Sequence, residues 1–206
     1  MRALLLVDVQ NDFMPFGALP VAGGDEVVPI ANRLMPAFEF VVASQDWHPA
    51  NHGSFASNHP GAHPGDVGEL EGLAQVLWPD HCVQDTPGAS FHSGLDVAGI
   101  DAVVRKGIDP LIDSYSAFFD NAHRRDTGLT AILRTAGVTE LVLMGLATDY
   151  CVLATAVDAR DAGFSVTVIR DGVRAVDLAA GDGEAALEAM REAGCSIVES
   201  SALPDA

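Results

Sequence analysis

The chain has 206 residues, of which 49% are hydrophobic, and 29 Asp and Glu residues stand against 11 Lys and Arg residues. The net charge of −18 disfavours nucleic acid and anionic membranes as partners, because both repel an acidic surface. The length, without a linker-like tract, indicates a single domain over residues 1–206.

The cysteines and the N-terminal sequence bear on the cellular compartment. Cys82, Cys151 and Cys195 are odd in number and too few for a disulfide framework, which indicates a reducing environment. The apolar run at residues 3–7 ends at Asp8, so it is too short for a signal peptide, and no segment has membrane-spanning length. We therefore expect a cytoplasmic protein without a membrane partner.

Apolar runs alternate with amphipathic segments along the chain, which predicts βαβ units. Strands are predicted at residues 2–8, 38–45, 101–106, 139–145, 164–170 and 195–199. Helices are predicted at residues 24–36, 126–136, 149–162 and 182–193. The expected fold is a three-layer α/β/α sandwich with a mainly parallel, Rossmann-like sheet of six strands.

Residues 46–100 differ from the rest of the chain because they are rich in His, Pro, Gly and Asn and show little periodicity. Long irregular segments inside compact domains are often functional. Six of the seven histidines fall here, at positions 48, 52, 59, 63, 81 and 92. We interpret the segment as an insertion that carries a metal site. At the other end, residues 200–206 are expected to form a frayed tail.

Chemically useful side chains follow four of the predicted strands. Asp8 ends the first strand, Asp46 and His48 follow the second, Lys106 ends the third, and the fourth leads to Cys151. Ligands bind outside the carboxyl ends of strands in open parallel sheets. These side chains are therefore expected to meet at one edge of the sheet.

Cys151 has two interpretations: a packed helix cysteine, or a nucleophile at a helix N-terminus. With Thr148 or Asp149 as the N-cap, Cys151 falls in the first turn, where the helix dipole favours a thiolate. Backbone N–H groups of that turn are also suited to receive an oxyanion.

Asp8 and Lys106 are the candidate partners of that thiol. Asp8 closes an apolar strand, where an unpaired charge is costly, and it can take the thiol proton and later deliver it to a leaving amine. Lys106 is the only lysine in the chain. It is either an ordinary solvated side chain or the ammonium that keeps Asp8 ionised.

Asp46 and His48 are two residues apart on an extended segment, so their side chains project to the same side and can share a metal ion. His81 is the expected third ligand, and His52 either completes the site or lines it. Two histidines and one aspartate with open positions indicate a catalytic or substrate-binding metal site. Each histidine alone is more commonly a simple loop residue.

Six stretches carry a family resemblance when they are read together and in order. The chain resembles nicotinamidases of the isochorismatase-like cysteine hydrolase superfamily along its whole length. The stretches are LLLVDVQNDF (4–13), SQDWHPANHGSF (44–55), WPDHCVQDTPGA (78–89), VVRKG (103–107), DSYSAF (113–118) and GLATDYCV (145–152).

The resemblance implies a catalytic triad of Asp8, Lys106 and Cys151, and one divalent metal ion. That ion is commonly zinc and sometimes iron or manganese, and it binds the pyridine nitrogen of the substrate. Its implied ligands are Asp46, His48 and His81, with either His52 or water as a further ligand.

The resemblance also implies how the substrate is held. Backbone N–H groups of Ala147 and Cys151 form the oxyanion hole, next to a cis peptide between Leu146 and Ala147. One departure from the family pattern is Tyr150, where some relatives have histidine. The implied substrate-binding residues are Phe13, Trp78, Tyr115, Leu146 and Ala147.

The implied reaction is hydrolysis of nicotinamide to nicotinate and ammonia in NAD salvage, through a cysteine thioester, with pyrazinamide as a further substrate. One alternative is a related hydrolase acting on another small amide, an N-carbamoyl compound or an isochorismate-type ether. Another is a catalytically silent metal-binding or scaffold protein of the same fold. A monomer and a homo-oligomer both remain open.

Overall fold

Six parallel strands form the central sheet of the computed structural model, which describes residues 1–203. A two-stranded antiparallel hairpin, β3–β4, lies outside this sheet. The strands are β1 (Arg2–Val7), β2 (Val41–Asp46), β3 (Val67–Leu70), β4 (Leu73–Val76), β5 (Ala102–Lys106), β6 (Glu140–Leu146), β7 (Ser165–Arg174) and β8 (Ser196–Val198). The order across the sheet is β5-β2-β1-β6-β7-β8.

Four α-helices pack on the sheet, as the alternating sequence pattern predicts. The helices are α1 (Val27–Leu34), α2 (Leu129–Thr135), α3 (Leu153–Asp161) and α4 (Asp182–Glu192). The predicted fold class is confirmed. The bounds differ at β2, which begins at Val41 rather than at residue 38, and at β7, which continues to Arg174.

The core has two layers, one on each face of the sheet. In β1, Ala3, Leu5 and Val7 belong to one buried cluster, whereas Leu4 and Leu6 belong to the other. All five are fully buried, so the strand is apolar without alternation. This burial on both faces is the physical reason why the strands are visible as continuous apolar runs.

Two segments depart from the sequence-based expectations. Residues 67–76 form the β3–β4 hairpin, where no regular structure is predicted. Residues 200–202 form a helical turn rather than a frayed tail, since the Ser200 amide donates to Asp171 Oδ1 at 2.6 Å and Ser200 is buried.

The predicted domain and tail both extend over residues 204–206, which lie outside the described part of the chain. The single-domain organisation stays a prediction. Among the described residues, none of the helices has the length and hydropathy needed to cross a membrane.

Candidate active site

The carboxyl ends of four neighbouring strands, β5, β2, β1 and β6, bring the expected side chains together. In the parallel register, Asp46 on β2 lies beside Lys106 on β5. The Lys106 ammonium donates to Asp46 Oδ1 at 2.7 Å and to Cys151 Sγ at 3.3 Å. It also forms an ion pair with Asp8 Oδ2 at 2.9 Å. Residues from four separate strand ends therefore meet around one ammonium.

The ammonium lies in a fully enclosed polar cluster. Lys106 is 1% exposed and Asp8 is 0% exposed. Lys106 Nζ also donates to the Ser114 carbonyl at 2.9 Å, and Ser44 Oγ donates to Asp8 Oδ1 at 2.7 Å. Sequence reasoning missed both serines, since an isolated serine carries no signal of what it contacts across the fold.

The protonation states follow from burial and from the neighbouring charges. Burial lowers the pKa of Lys106, but Asp46 and Asp8 override it and hold that pKa well above its usual value. Burial raises the pKa of Asp8, and the Asp46 charge adds to the rise, whereas Lys106 opposes it. Burial also raises the pKa of the Cys151 thiol well above its usual value, against the influence of Lys106.

The resting thiol is therefore protonated and needs a base beside it. A carboxylate oxygen of Asp8 lies within 4.8 Å of Cys151 Sγ. Because burial and the Asp46 charge raise the pKa of Asp8, its carboxylate is more basic than a surface aspartate. The pair is suited to transfer a proton from sulfur to oxygen when the sulfur is engaged in bonding.

Cys151 lies in a five-residue π-helical turn, Thr148–Val152, between β6 and α3. The N-cap is Ala147, without a side-chain cap hydrogen bond, so the expectation of Thr148 or Asp149 as the cap is wrong. Asp149 turns away and accepts from the amides that follow β7, those of Val176 at 3.0 Å and Asp177 at 2.8 Å. The Leu146–Ala147 peptide is cis.

Beside this cluster, Asp46, His48 and His81 present donor atoms that fit a divalent cation. Asp46 Oδ2 lies 3.5 Å from His48 Nε2 and 3.9 Å from His81 Nε2. The other ring nitrogens face carbonyls, His48 Nδ1 at 2.9 Å from Gly107 O and His81 Nδ1 at 2.8 Å from Pro79 O. Each Nδ1 therefore carries the proton, which leaves both Nε2 lone pairs for a metal.

The charge states of Asp46 and His81 also suit a metal site. Burial acts to raise the pKa of Asp46, but Lys106 and His48 hold it well below its usual range. Burial, together with His48, lowers the pKa of His81 to about 4. An ionised carboxylate and a neutral imidazole are the forms that bind metal ions.

His52 lies next to this group without joining it. Its ring centroid is 4.3 Å from that of His48, and its Nδ1 is 2.7 Å from Ser54 Oγ. Its donor atoms cluster with those of His48 and Asp113 rather than with the set around Asp46. Among the described residues, His52 Nε2 has no hydrogen-bond partner although it is buried. An orphaned nitrogen of this kind fits a bound water or a metal ligand.

A pocket with about 360 Å³ of empty space connects the two groups. Phe13 and Trp78 lie in its walls, and Cys151 and the donor set around Asp46 are exposed to it. Leu146, an expected substrate-binding residue, points into the core instead and is 0% exposed. The lining residues are Phe13, Leu19, Asp46, His48, Trp78, His81, Asp113, Tyr115, Ala147, Tyr150, Cys151 and Val176.

Sequence reasoning singled out neither Asp113 nor a role for Tyr150 in this pocket. Asp113 is 3% exposed and has no ion-pair partner within the described residues. Tyr150 packs edge-on against Trp78, with ring centroids 4.9 Å apart, and against Tyr115 at 5.3 Å. The motif that contains Asp113 was visible, but nothing in it shows that the carboxylate faces the pocket.

Comparison with known proteins identifies the family. The sequence model of the family described as "Isochorismatase domain" matches residues 2–202. The chain belongs to the isochorismatase family. Within this family it is 53% identical over 200 residues to the nicotinamidase of Escherichia coli (strain K12), covering 95% of this chain and 93% of that relative.

Solved structures of isochorismatase-family proteins agree with this fold. A nicotinamidase and pyrazinamidase of Acinetobacter baumanii superposes with a TM-score of 0.94 at 46% identity, covering 97% of this chain and 96% of that one. A pyrazinamidase of Pyrococcus horikoshii in complex with zinc has a TM-score of 0.78 at 39% identity, covering 96% and 98%. The similarity therefore extends over nearly the whole chain, and the predicted family is confirmed.

Proposed function

We propose that this protein is a nicotinamidase, which hydrolyses nicotinamide to nicotinate and ammonia. The observation that carries the proposal is the contact of one buried ammonium, Lys106 Nζ, with Asp8, Asp46 and Cys151 beside the pocket. The 53% identical relative is itself named a nicotinamidase. Pyrazinamide is proposed as a second substrate because one ring nitrogen in place of a C–H leaves the shape of the ring unchanged.

The first half of the reaction forms a thioester. Asp8 accepts the thiol proton while Cys151 Sγ forms a bond to the carboxamide carbon. The backbone N–H groups of Ala147 and Cys151 are proposed to receive the developing oxyanion. As the tetrahedral centre collapses, the C–N bond breaks and Asp8 returns the proton to the amine, which leaves as ammonia.

The second half restores the enzyme. A water molecule loses a proton to the Asp8 carboxylate as its oxygen attacks the thioester carbon. The C–S bond then breaks, the thiolate takes back that proton, and nicotinic acid leaves and ionises to nicotinate by losing its proton to water. Lys106 holds Asp8 in place and its charge stabilises the thiolate leaving group. Each cycle consumes one water and releases one ammonia.

The pocket selects a small neutral ring. Phe13 and Trp78, which line the pocket, are proposed to hold the two faces of the pyridine. A neutral substrate is compatible with a net charge of −18, which would repel a strongly anionic one.

Asp46, His48 and His81 are proposed to bind one divalent ion, with His52 or water as a further ligand. When bound, the ion supplies a Lewis acid that the pyridine nitrogen of the substrate can contact. Zinc is proposed as the natural ion, with iron and manganese as alternatives. The proposal is supported by the donor set and by the zinc complex of the Pyrococcus horikoshii relative.

A cytoplasmic location is proposed, and the state of the cysteines supports it. All three cysteines are free and buried, which fits a reducing compartment. The acidic surface supports the expectation that neither nucleic acid nor an anionic membrane is a partner.

Ammonia release tests the proposed function. The purified protein, with measured metal content, is incubated with nicotinamide beside Cys151→Ala carrying the same metal content. We expect release by the unaltered protein and a loss of at least about a thousandfold in the variant. Release no greater than that of the variant would overturn the assignment, and trials with other small amides would then identify the substrate class.

A further inference from the structure

The β3–β4 hairpin lies mostly on the surface but places one polar side chain against two residues of the pocket wall, Asp113 and Tyr115. Of the described hairpin residues 67–76, Gln75 alone is buried, at 3% exposure. Its side-chain amide Nε2 lies within hydrogen-bonding distance of three acceptors, Val76 O at 2.8 Å, Asp113 Oδ2 at 3.0 Å and Tyr115 OH at 3.0 Å, and its two hydrogens are shared among them. A buried amide in a solvent-facing hairpin is costly unless it is bonded, so these contacts decide its orientation.

The acceptors around the Gln75 amide fix which way its oxygen and its NH₂ group face. Val76 O is a carbonyl and Asp113 Oδ2 belongs to a carboxylate, so both are acceptors. Turning the amide over would set its own carbonyl oxygen against these two oxygens. The NH₂ group must therefore face them, and from there it can only donate to Tyr115 OH.

A second donor points at the same hydroxyl. The indole Nε1–H of Trp78 lies 3.3 Å from Tyr115 OH, and an indole nitrogen never accepts. The Tyr115 oxygen thus accepts from Gln75 and from Trp78, and its own proton has to donate elsewhere. Within residues 1–203 no protein acceptor takes that proton, whereas Tyr115 itself lines the substrate pocket.

We propose that Gln75 is a positioning residue for substrate recognition: with Trp78, it turns the Tyr115 O–H into the pocket as a hydrogen-bond donor to the bound heterocyclic amide. The inference rests on the proposed function. It makes the hairpin part of the recognition apparatus, although none of its own atoms has to touch the substrate.

The other polar side-chain contact of the described hairpin, an ion pair, cannot orient Tyr115. Glu71 pairs with Arg124 at 2.7 Å, but the two side chains are 42% and 56% exposed. Exposed pairs of this kind contribute little. The Gln75 amide is therefore the contact through which the hairpin acts on the pocket.

A double-mutant cycle with nicotinamide tests this role. The variants are Gln75→Met, which keeps length but cannot donate, Tyr115→Phe, which keeps the ring, and the double variant. We expect each single change to raise KM about three- to tenfold with little change in kcat, which is the effect of losing one hydrogen bond. When Tyr115→Phe is already present, adding Gln75→Met should raise KM less than about twofold.

An NMR experiment tests the same hydrogen bonds without measuring turnover. The chain has two tryptophans, so the indole N–H signals of Trp47 and Trp78 are resolved by NMR and assigned with Trp78→Phe. Tyr115→Phe should move the Trp78 signal upfield, because its acceptor is gone, and Gln75→Met should move it only when Tyr115 is present. Glu69→Gln, on the exposed face of the same hairpin, is the matched control and should move neither signal.

The outcomes separate this inference from the proposed function. Equal KM effects of Gln75→Met with and without Tyr115→Phe, or no effect of Tyr115→Phe, would overturn the positioning role even if nicotinamide is hydrolysed. If the unaltered protein releases no ammonia, the indole signals decide: an unmoved Trp78 signal in Gln75→Met overturns the role. Should Gln75→Met not fold, Tyr115→Phe alone decides through its KM and the Trp78 signal.

Discussion

Lys106 shows at the scale of one residue how composition and structure explain each other. The chain has 11 basic residues, and every one except Lys106 is arginine. Its ammonium donates to a carboxylate, a carbonyl and a sulfur while a second carboxylate lies 2.9 Å away. A tetrahedral ammonium serves partners that lie in several directions, whereas a planar guanidinium does not.

Lys106→Arg should therefore nearly abolish activity despite keeping the charge. We expect kcat/KM for nicotinamide to fall at least about a thousandfold, and the free energy of unfolding to fall by about 3 kcal/mol, since a buried ion pair is disrupted. Steady-state kinetics and urea unfolding measure the two effects. Arg191→Lys, a conservative change at an exposed pair, is the control, and activity within about twofold of the unaltered protein in Lys106→Arg would contradict the role.

Ser44 provides a test of how Asp8 is tuned. Its hydroxyl donates to Asp8 at 2.7 Å, and this bond lowers the pKa of a carboxyl that burial raises. In Ser44→Ala the pKa of Asp8 rises further, so the base becomes protonated at a higher pH. The acidic limb of the pH profile of kcat/KM should move to higher pH, whereas the surface variant Ser57→Ala should leave it in place. A shift to lower pH would contradict the role of Asp8 as the base.

At the scale of elements, the turn that carries Cys151 is held by contacts of Asp149 that the sequence did not predict. The sequence predicts Thr148 or Asp149 as the cap of the helix, but the Asp149 carboxylate accepts from two amides beyond the end of β7. Cap preferences are local, and a carboxylate that finds two amides from a distant strand end satisfies them instead. The turn that carries Cys151 is therefore held by hydrogen bonds to the segment after β7 rather than by a side-chain cap of α3.

Asp149→Ala should loosen this turn. Losing two hydrogen bonds to a charged acceptor is expected to lower the free energy of unfolding by about 2 kcal/mol and to reduce kcat more than it raises KM. Urea unfolding and steady-state kinetics provide the measurements. Asp161→Ala, which removes an exposed acid from α3, is the matched control. Equal stabilities of the two variants would contradict the stabilising role of the Asp149 hydrogen bonds.

At the scale of the whole molecule, the sheet and most of the site could be predicted from the sequence. Strand β1 is buried on both faces and apolar from Ala3 to Val7, so the first polar residue after it, Asp8, marks the strand end. The β3–β4 hairpin was not predictable because its strands are four residues long and mostly exposed. Gln75 and Asp113 were missed because their roles depend on contacts 38 residues apart in sequence.

The metal site should stabilise the folded protein as a whole. An ion that binds only the native state adds about 2.7 kcal/mol when its free concentration is about 100 times its Kd. Urea unfolding with and without zinc should show this gain in the unaltered protein, and His48→Ala should lose most of it. His63→Ala removes a histidine whose side chain is 83% exposed and should keep the gain. Equal gains in both variants would contradict the assigned ligands.

The central claim is that Cys151 attacks the substrate carbon because Asp8 and Lys106 meet beside it. Pyridine-3-carbaldehyde, labelled with ¹³C at the aldehyde carbon, tests this directly by NMR, since sulfur addition converts a trigonal carbon into a stable tetrahedral one. The metal-loaded protein at saturating aldehyde should show the tetrahedral thiohemiacetal signal, and Cys151→Ala should not. A signal that persists in Cys151→Ala, or none in the unaltered protein, would contradict the account.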